Sequence, residues 1–251
     1  MINLELIPAG VAIAGASIAI YTDMRWRIIP NKLNFPMITF GVIFYILLGV
    51  YNWDFITAIS GALGAAMCFI IGYAMWLTGG WAGGDVKLFT ALGALLYGYT
   101  MPVGNPIYPI PLTILFNSII ATIPVLLVYA LIRRTQGQSV FYDKVKISEL
   151  KEGMIPAETI YEKNGKIGRW NSRFSLRKEW DKVYTNPKRA AGLTRYQVGV
   201  LKKLALNKKI ENNIRIKKGL PFAPALAAGV LIAVFYGDIY WRLVLQLFGY
   251  V

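Results

Sequence analysis

Apolar residues in this chain gather in long blocks separated by short polar breaks. Crossing a bilayer as a helix takes about 20 apolar residues, with a range of about 17–25. Residues 4–22, 35–51, 55–78, 109–132 and 220–236 are blocks of about that kind. Residues 86–100 form a shorter one, rich in Ala, Gly and Leu. The pattern predicts a polytopic all-α membrane protein with about six transmembrane helices. The tail, 239–251, is apolar but too short to cross. It reads as a continuation of the sixth helix or an interfacial piece anchored by Tyr240, Trp241 and Arg242.

Between the fifth and sixth blocks the pattern changes. Residues 159–167 alternate around Asn164-Gly165, which predicts a hairpin. Thr194 stands three residues before Gln197, the spacing of a capping box. Val198, Leu201, Leu204 and Ala205 then supply one apolar helix face. Residues 214–217 alternate as a short strand would. The expected organisation is helices one to five in 1–134, a small α+β domain in 135–219, and the last helix with its tail in 220–251.

Charge sharpens this picture. The chain is 56% hydrophobic and 16% charged, below the roughly 25% usual for soluble domains. Residues 133–218 hold 22 basic and 8 acidic residues, the whole of the net +14. The loop over 23–34 carries Arg25, Arg27 and Lys32, whereas 52–54 and 101–108 hold a single charge between them. The positive-inside rule places the basic loops in the cytoplasm and the N-terminus outside. A basic cytoplasmic domain fits anionic headgroups, at about 1 kcal/mol per surface Lys or Arg. No nucleic-acid motif accompanies the charge, so no nucleic acid is expected as partner. The first residues have no basic region of the signal-peptide kind.

Histidine is absent, and Cys68 is the only cysteine. Ser-His-Asp and Cys-His catalysis and His-ligated zinc are therefore excluded, and no metal or other cofactor is expected. Any catalysis must come from the remaining polar residues. Charges at membrane depth are costly and usually functional. Two acids stand on the cytoplasmic rim. Asp23 ends the first block, and Asp85 opens the fourth after Gly79-Gly80-Trp81-Ala82-Gly83-Gly84. An isolated Asp in either place reads as a surface ion-pair partner or a helix cap. As a pair at one depth they suit aspartic hydrolysis, where two carboxyls share a proton. Exposed backbone in the glycine run would let a peptide pair alongside. Helix-end electrostatics favour Asp85 as the base that activates water and Asp23 as the acid. The rival reading is a proton- or ion-coupled transporter that uses the same two acids.

Asp23 followed by Ile29-Pro30-Asn31, with Gly84-Asp85-Val86-Lys87 later, resembles the type IV prepilin peptidases of the GxGD aspartyl protease class. Pro221-Phe222-Ala223-Pro224-Ala225 is similar to the motif that opens their last helix. The basic insertion, Leu150-Lys151-Glu152-Gly153-Met154-Ile155-Pro156 and Gly192-Leu193-Thr194 resemble the archaeal preflagellin peptidases. The resemblance implies a membrane-embedded aspartyl endopeptidase of the archaeal flagellum, with Asp23 and Asp85 catalytic. Ala82, Gly83, Gly84, Lys87, Pro30, Asn31, Pro221, Phe222 and Pro224 would support the site. It further implies preflagellin- or prepilin-like substrates with short basic leaders, cut at the cytoplasmic face of the plasma membrane. Ala82 departs from the pattern, which has Gly there.

Overall fold

A computed structural model of the chain describes residues 4–78, 80–103, 106–137, 139, 142–170, 180–187, 192–217 and 222–249. The chain divides into two units, residues 1–127 with 221–251, and residues 128–220. In the first, helix α1 (Leu6–Trp26) ends where Arg27 turns left-handed at φ 57° and donates its N–H to the Asp23 carbonyl. Helix α2 (Asn31–Asn52) begins four residues later, behind Pro30. The polar loop expected over 23–34 is therefore much shorter, with Asp23 inside α1 and Asn31 to Asn34 inside α2. Helix α3 (Phe55–Leu77) is capped by Asp54, which accepts from Ile56 N–H and Thr57 Oγ1 at 2.9 and 2.6 Å.

Helix α4 (Gly83–Leu96) packs against α1, α2, α3 and helix α7 (Ala223–Phe235), and is buried almost throughout. Its neighbours present stripes of small residues, which permit close helix approach in a lipid environment. Ala9, Ala12, Gly15, Ala16 and Ala19 form that stripe on α1, and Gly61, Gly64, Cys68 and Gly72 form it on α3. Gly64 and Gly93 each face the other's carbonyl with no room for a Cβ. Fourteen residues rise about 21 Å, short of a hydrocarbon core of about 30 Å. Yet Thr100 N–H, just past α4, donates to the Glu5 carboxylate at the start of α1 at 2.8 Å, so this segment runs the length of α1. Length and composition alone give four helices able to cross a membrane: α1, α2, α3 and α5 (Ile110–Thr135). The pair α7 and α8 (Ile239–Leu247), bent by 67°, makes a fifth if it is one span. The expected sixth block begins later than its pattern suggested, at Ala223. The tail is a helix of its own and not a continuation.

The break between α7 and α8 is polar and buried. Asp238, 1% exposed, caps α8 through Trp241 N–H at 2.8 Å. It also accepts from the hydroxyls of Tyr108 and Thr113 at 2.7 and 2.6 Å. Asn117 of α5 bonds Gly237 O and Ile239 N–H on either side. Asp238 is a helix boundary, as its place after Gly237 suggests, but its α5-side partners give it a second role in tying α5 to this break.

The second unit carries two small antiparallel sheets. Strands β1 (Tyr142–Val145) and β5 (Ile214–Lys217) pair with each other. Strands β2 (Thr159–Lys163), β3 (Lys166–Trp170) and β4 (Lys182–Val183) form the order β3-β2-β4. Asn164 and Gly165 both have positive φ, 52° and 72°, as a two-residue type I′ hairpin turn requires. Helix α6 (Arg195–Leu206) is capped by Thr194 and Gln197 and buries Val198 and Leu201. Met154 and Leu193, from the two segments singled out above, hydrogen-bond through Leu193 N–H to Met154 O at 2.9 Å, and Gly153 N–H donates to Leu193 O at 2.8 Å.

Candidate active site

Three chain segments converge at one end of the helical unit: the end of α1 with the start of α2, the start of α4, and the start of α7. Asp23 lies in the last turn of α1, on the face that carries the small-residue stripe, and is 7% exposed. Its Oδ2 accepts the N–H of Ala223 at 3.3 Å, a bond between residues 200 positions apart. Pro224 suits the first turn of α7, where its missing N–H leaves no helical bond broken. Pro221 lies outside the described residues.

Asp85 is not the N-cap of α4, because the helix starts two residues earlier, at Gly83. It occupies the third helical position and reaches back with Oδ2 to the Ala82 N–H at 2.9 Å. It is 8% exposed. Asp23 and Asp85 thus stand at the same end of two helices that pack against each other. Two carboxylates so placed, away from bulk water, repel one another and are relieved by sharing a proton. Both carboxylates also accept a backbone N–H at the start of a helix, α7 for Asp23 and α4 for Asp85. The helix-end argument that separates acid from base in the sequence therefore does not distinguish them here.

The surroundings hold the pair in place. Ile29, buried, lies against Gly84. Lys87 Nζ donates to Asn31 Oδ1 at 2.8 Å and stands 5.6 Å over the Phe35 ring, joining α4 to α2. Trp81 is tilted against Phe222, with ring centroids 4.9 Å apart, and meets Phe89 edge-on. Ala82 and Gly83 are exposed, and a side chain at Gly83 would enter open space. Ala82 has φ −84° and ψ 160°, extended backbone that any residue adopts. The Ala-for-Gly departure is thus compatible with the local conformation. Asn34, missed in the sequence, is fully buried one turn beyond Asn31. Its signal was its spacing, three residues from Asn31 on one helix face. No group of three or more His, Cys, Asp or Glu able to hold a metal lies among the described residues.

Residues 10–127 match the model of the type IV leader peptidase family. Residues 117–216 match the archaeal peptidase A24 C-terminal domain. The chain belongs to the type IV leader peptidase family. It is similar to the prepilin peptidase EppA of Methanothermobacter thermautotrophicus, 25% identical over 94% of this chain and 96% of that one. The preflagellin peptidase of Methanococcus voltae is 30% identical over 60% of this chain and 65% of its own. That of Methanocaldococcus jannaschii is 35% identical over 39% of this chain and 41% of its own. The first model covers Asp23, the Ile29-Pro30-Asn31 segment and Ala82 to Lys87; the second covers the basic segment. The chain is a membrane protein by family and by its apolar helices.

Proposed function

We propose that this leader peptidase is an aspartyl endopeptidase whose reacting groups are Asp23 and Asp85. The observation that carries the reading is that two buried aspartates stand at the end of α1 and the start of α4, helices that pack together, beside the exposed residues Ala82 and Gly83. A water held between the pair loses a proton to the ionised carboxylate and attacks the scissile carbonyl. The other carboxyl gives its proton to the departing nitrogen as the C–N bond breaks. Each group then holds what the other began with. Asn31, Lys87, Ile29 and Gly84 keep α2 and α4 in register, and Phe222 and Trp81 hold the start of α7.

The proposed substrates are preflagellin- or prepilin-like precursors with a short basic leader, cut at the cytoplasmic face of the plasma membrane. The aspartates offer the leader an attractive charge, whereas the +14 segment would repel it and suits anionic lipid headgroups instead. No cofactor and no nucleic acid enter the proposal. The test is to incubate the purified protein in lipid with such a precursor and follow the intact mass. Loss of the leader at one bond is expected, with slower cleavage when the leader's Lys and Arg become Glu. Equal cleavage of the acidic leader would reject the electrostatic account, and no cleavage of any basic-leader precursor would reject the substrate class.

A further inference from the structure

Asn34 is fully buried at 0% exposure, and neither its Nδ2 nor its Oδ1 has a hydrogen-bond partner. A buried amide left unsatisfied at both ends is costly, and each such group calls for an explanation. Its backbone is ordinary, with the N–H donating to Pro30 O at 3.3 Å. The explanation must therefore lie with the side chain.

The place of Asn34 follows from its helix. The buried face of α2 runs Asn34, Met37, Gly41, Tyr45 and Gly49. Met37 fits against Gly15 of α1, and Gly41 lies against Ala94 of α4. One turn in the other direction, Asn31 meets Lys87 of α4. Asn34 therefore faces the gap between α1 and α4. Asp23 is two turns beyond Gly15 on α1, and Asn34 one turn beyond Met37 on the oppositely running α2. By helix rise Asn34 thus lies about 7–8 Å beneath Asp23. Side chains lean toward the N-terminus of their own helix, so on these oppositely running helices Asp23 and Asn34 lean toward each other across that distance.

We propose that Asn34 is a positioning residue for the aspartate pair, engaged when the site closes on substrate. Its Nδ2–H donates to the ionised carboxylate, and its Oδ1 accepts from the protonated one. A carboxamide suits this task because it presents one donor and one acceptor to a pair that holds one proton. The amide of Asn31 already has Lys87 on its oxygen, so Asn34 is the amide of this stretch with both ends open. The inference rests on the aspartate reading above.

The test compares Asn34→Leu and Asn34→Ser with the wild type in lipid, measuring kcat, KM, the pH–rate profile and thermal unfolding. Leu fills the volume and removes both polar ends, so its thermal stability should equal or exceed that of the wild type. Its kcat should fall by about 100-fold, as for a reacting group displaced by about 1 Å, with KM changed by less than about threefold. Its pH–rate bell should narrow from both sides. Asn34→Ser, which keeps a donor and an acceptor, should lie between, and it carries the test if the Leu variant does not fold. A folded variant with kcat within about threefold of wild type and an unmoved profile would overturn the proposal, leaving Asn34 a core residue. Wild-type cleavage by Asp23→Asn or Asp85→Asn would instead overturn the aspartate reading on which it stands.

Discussion

Ala82 tests how far a motif's letter matters against its backbone. The residue is exposed, its φ is negative, and its N–H binds Asp85. Glycine there would keep that bond and is the better N-cap of the two, by about 1 kcal/mol. Ala82→Gly should therefore cleave within about twofold of wild type, read by initial rates; a tenfold loss would contradict the geometry described for α4. Asp23 and Asp85 were legible as candidates because acids are scarce in the apolar blocks. Their partners were not legible. Nothing in the sequence ties Asp23 to Ala223, since that bond exists only because α7 returns beside α1. Asn34 was hidden because the apolar pattern begins at Phe35, which put Asn34 outside the predicted span and concealed its burial.

At the scale of elements, the small-residue stripes determine which helices approach. A Cβ on Gly93 would collide with Gly64 O and the Cys68 side chain. Gly93→Leu should destabilise the helical unit by about 1–3 kcal/mol or more through overpacking, seen as a lower unfolding temperature in detergent. An unchanged temperature would mean that α3 and α4 do not meet there. In the other unit, Thr194→Ala removes the cap of α6 and should cost about 1 kcal/mol. The hairpin and α6 were legible because Asn-Gly and Thr-x-x-Gln encode local geometry. Strand β1 was not, because Asp143 and Lys144 interrupt its alternation and 68 residues separate it from its partner β5. The start of α4 was misplaced because Gly83 and Gly84, read as linker, form its first turn.

For the whole molecule, the exposed faces of α2, α3 and α5 carry large apolar side chains such as Leu47, Ile70, Val125 and Leu127, as lipid contact requires. The apolar blocks made a multi-helix membrane protein legible. The number of crossings was less so, because a buried 14-residue helix has the composition of a span without its length. Topology has a direct check. Asn164 is exposed in the basic segment, and the one native thiol, Cys68, is fully buried. Asn164→Cys should react with impermeant maleimide only when the inner face is open; labelling of intact cells from outside would reject the proposed orientation. The central claim is that Asp23 and Asp85 act as one unit. The most direct measurement is precursor cleavage by Asp23→Asn, Asp85→Asn and the double variant, each inserted in lipid. Each single change should lower kcat by at least about 100-fold, and the double should be no worse than the singles, as for groups that work together. Near-wild-type cleavage by either single variant, or losses that multiply in the double, would contradict it.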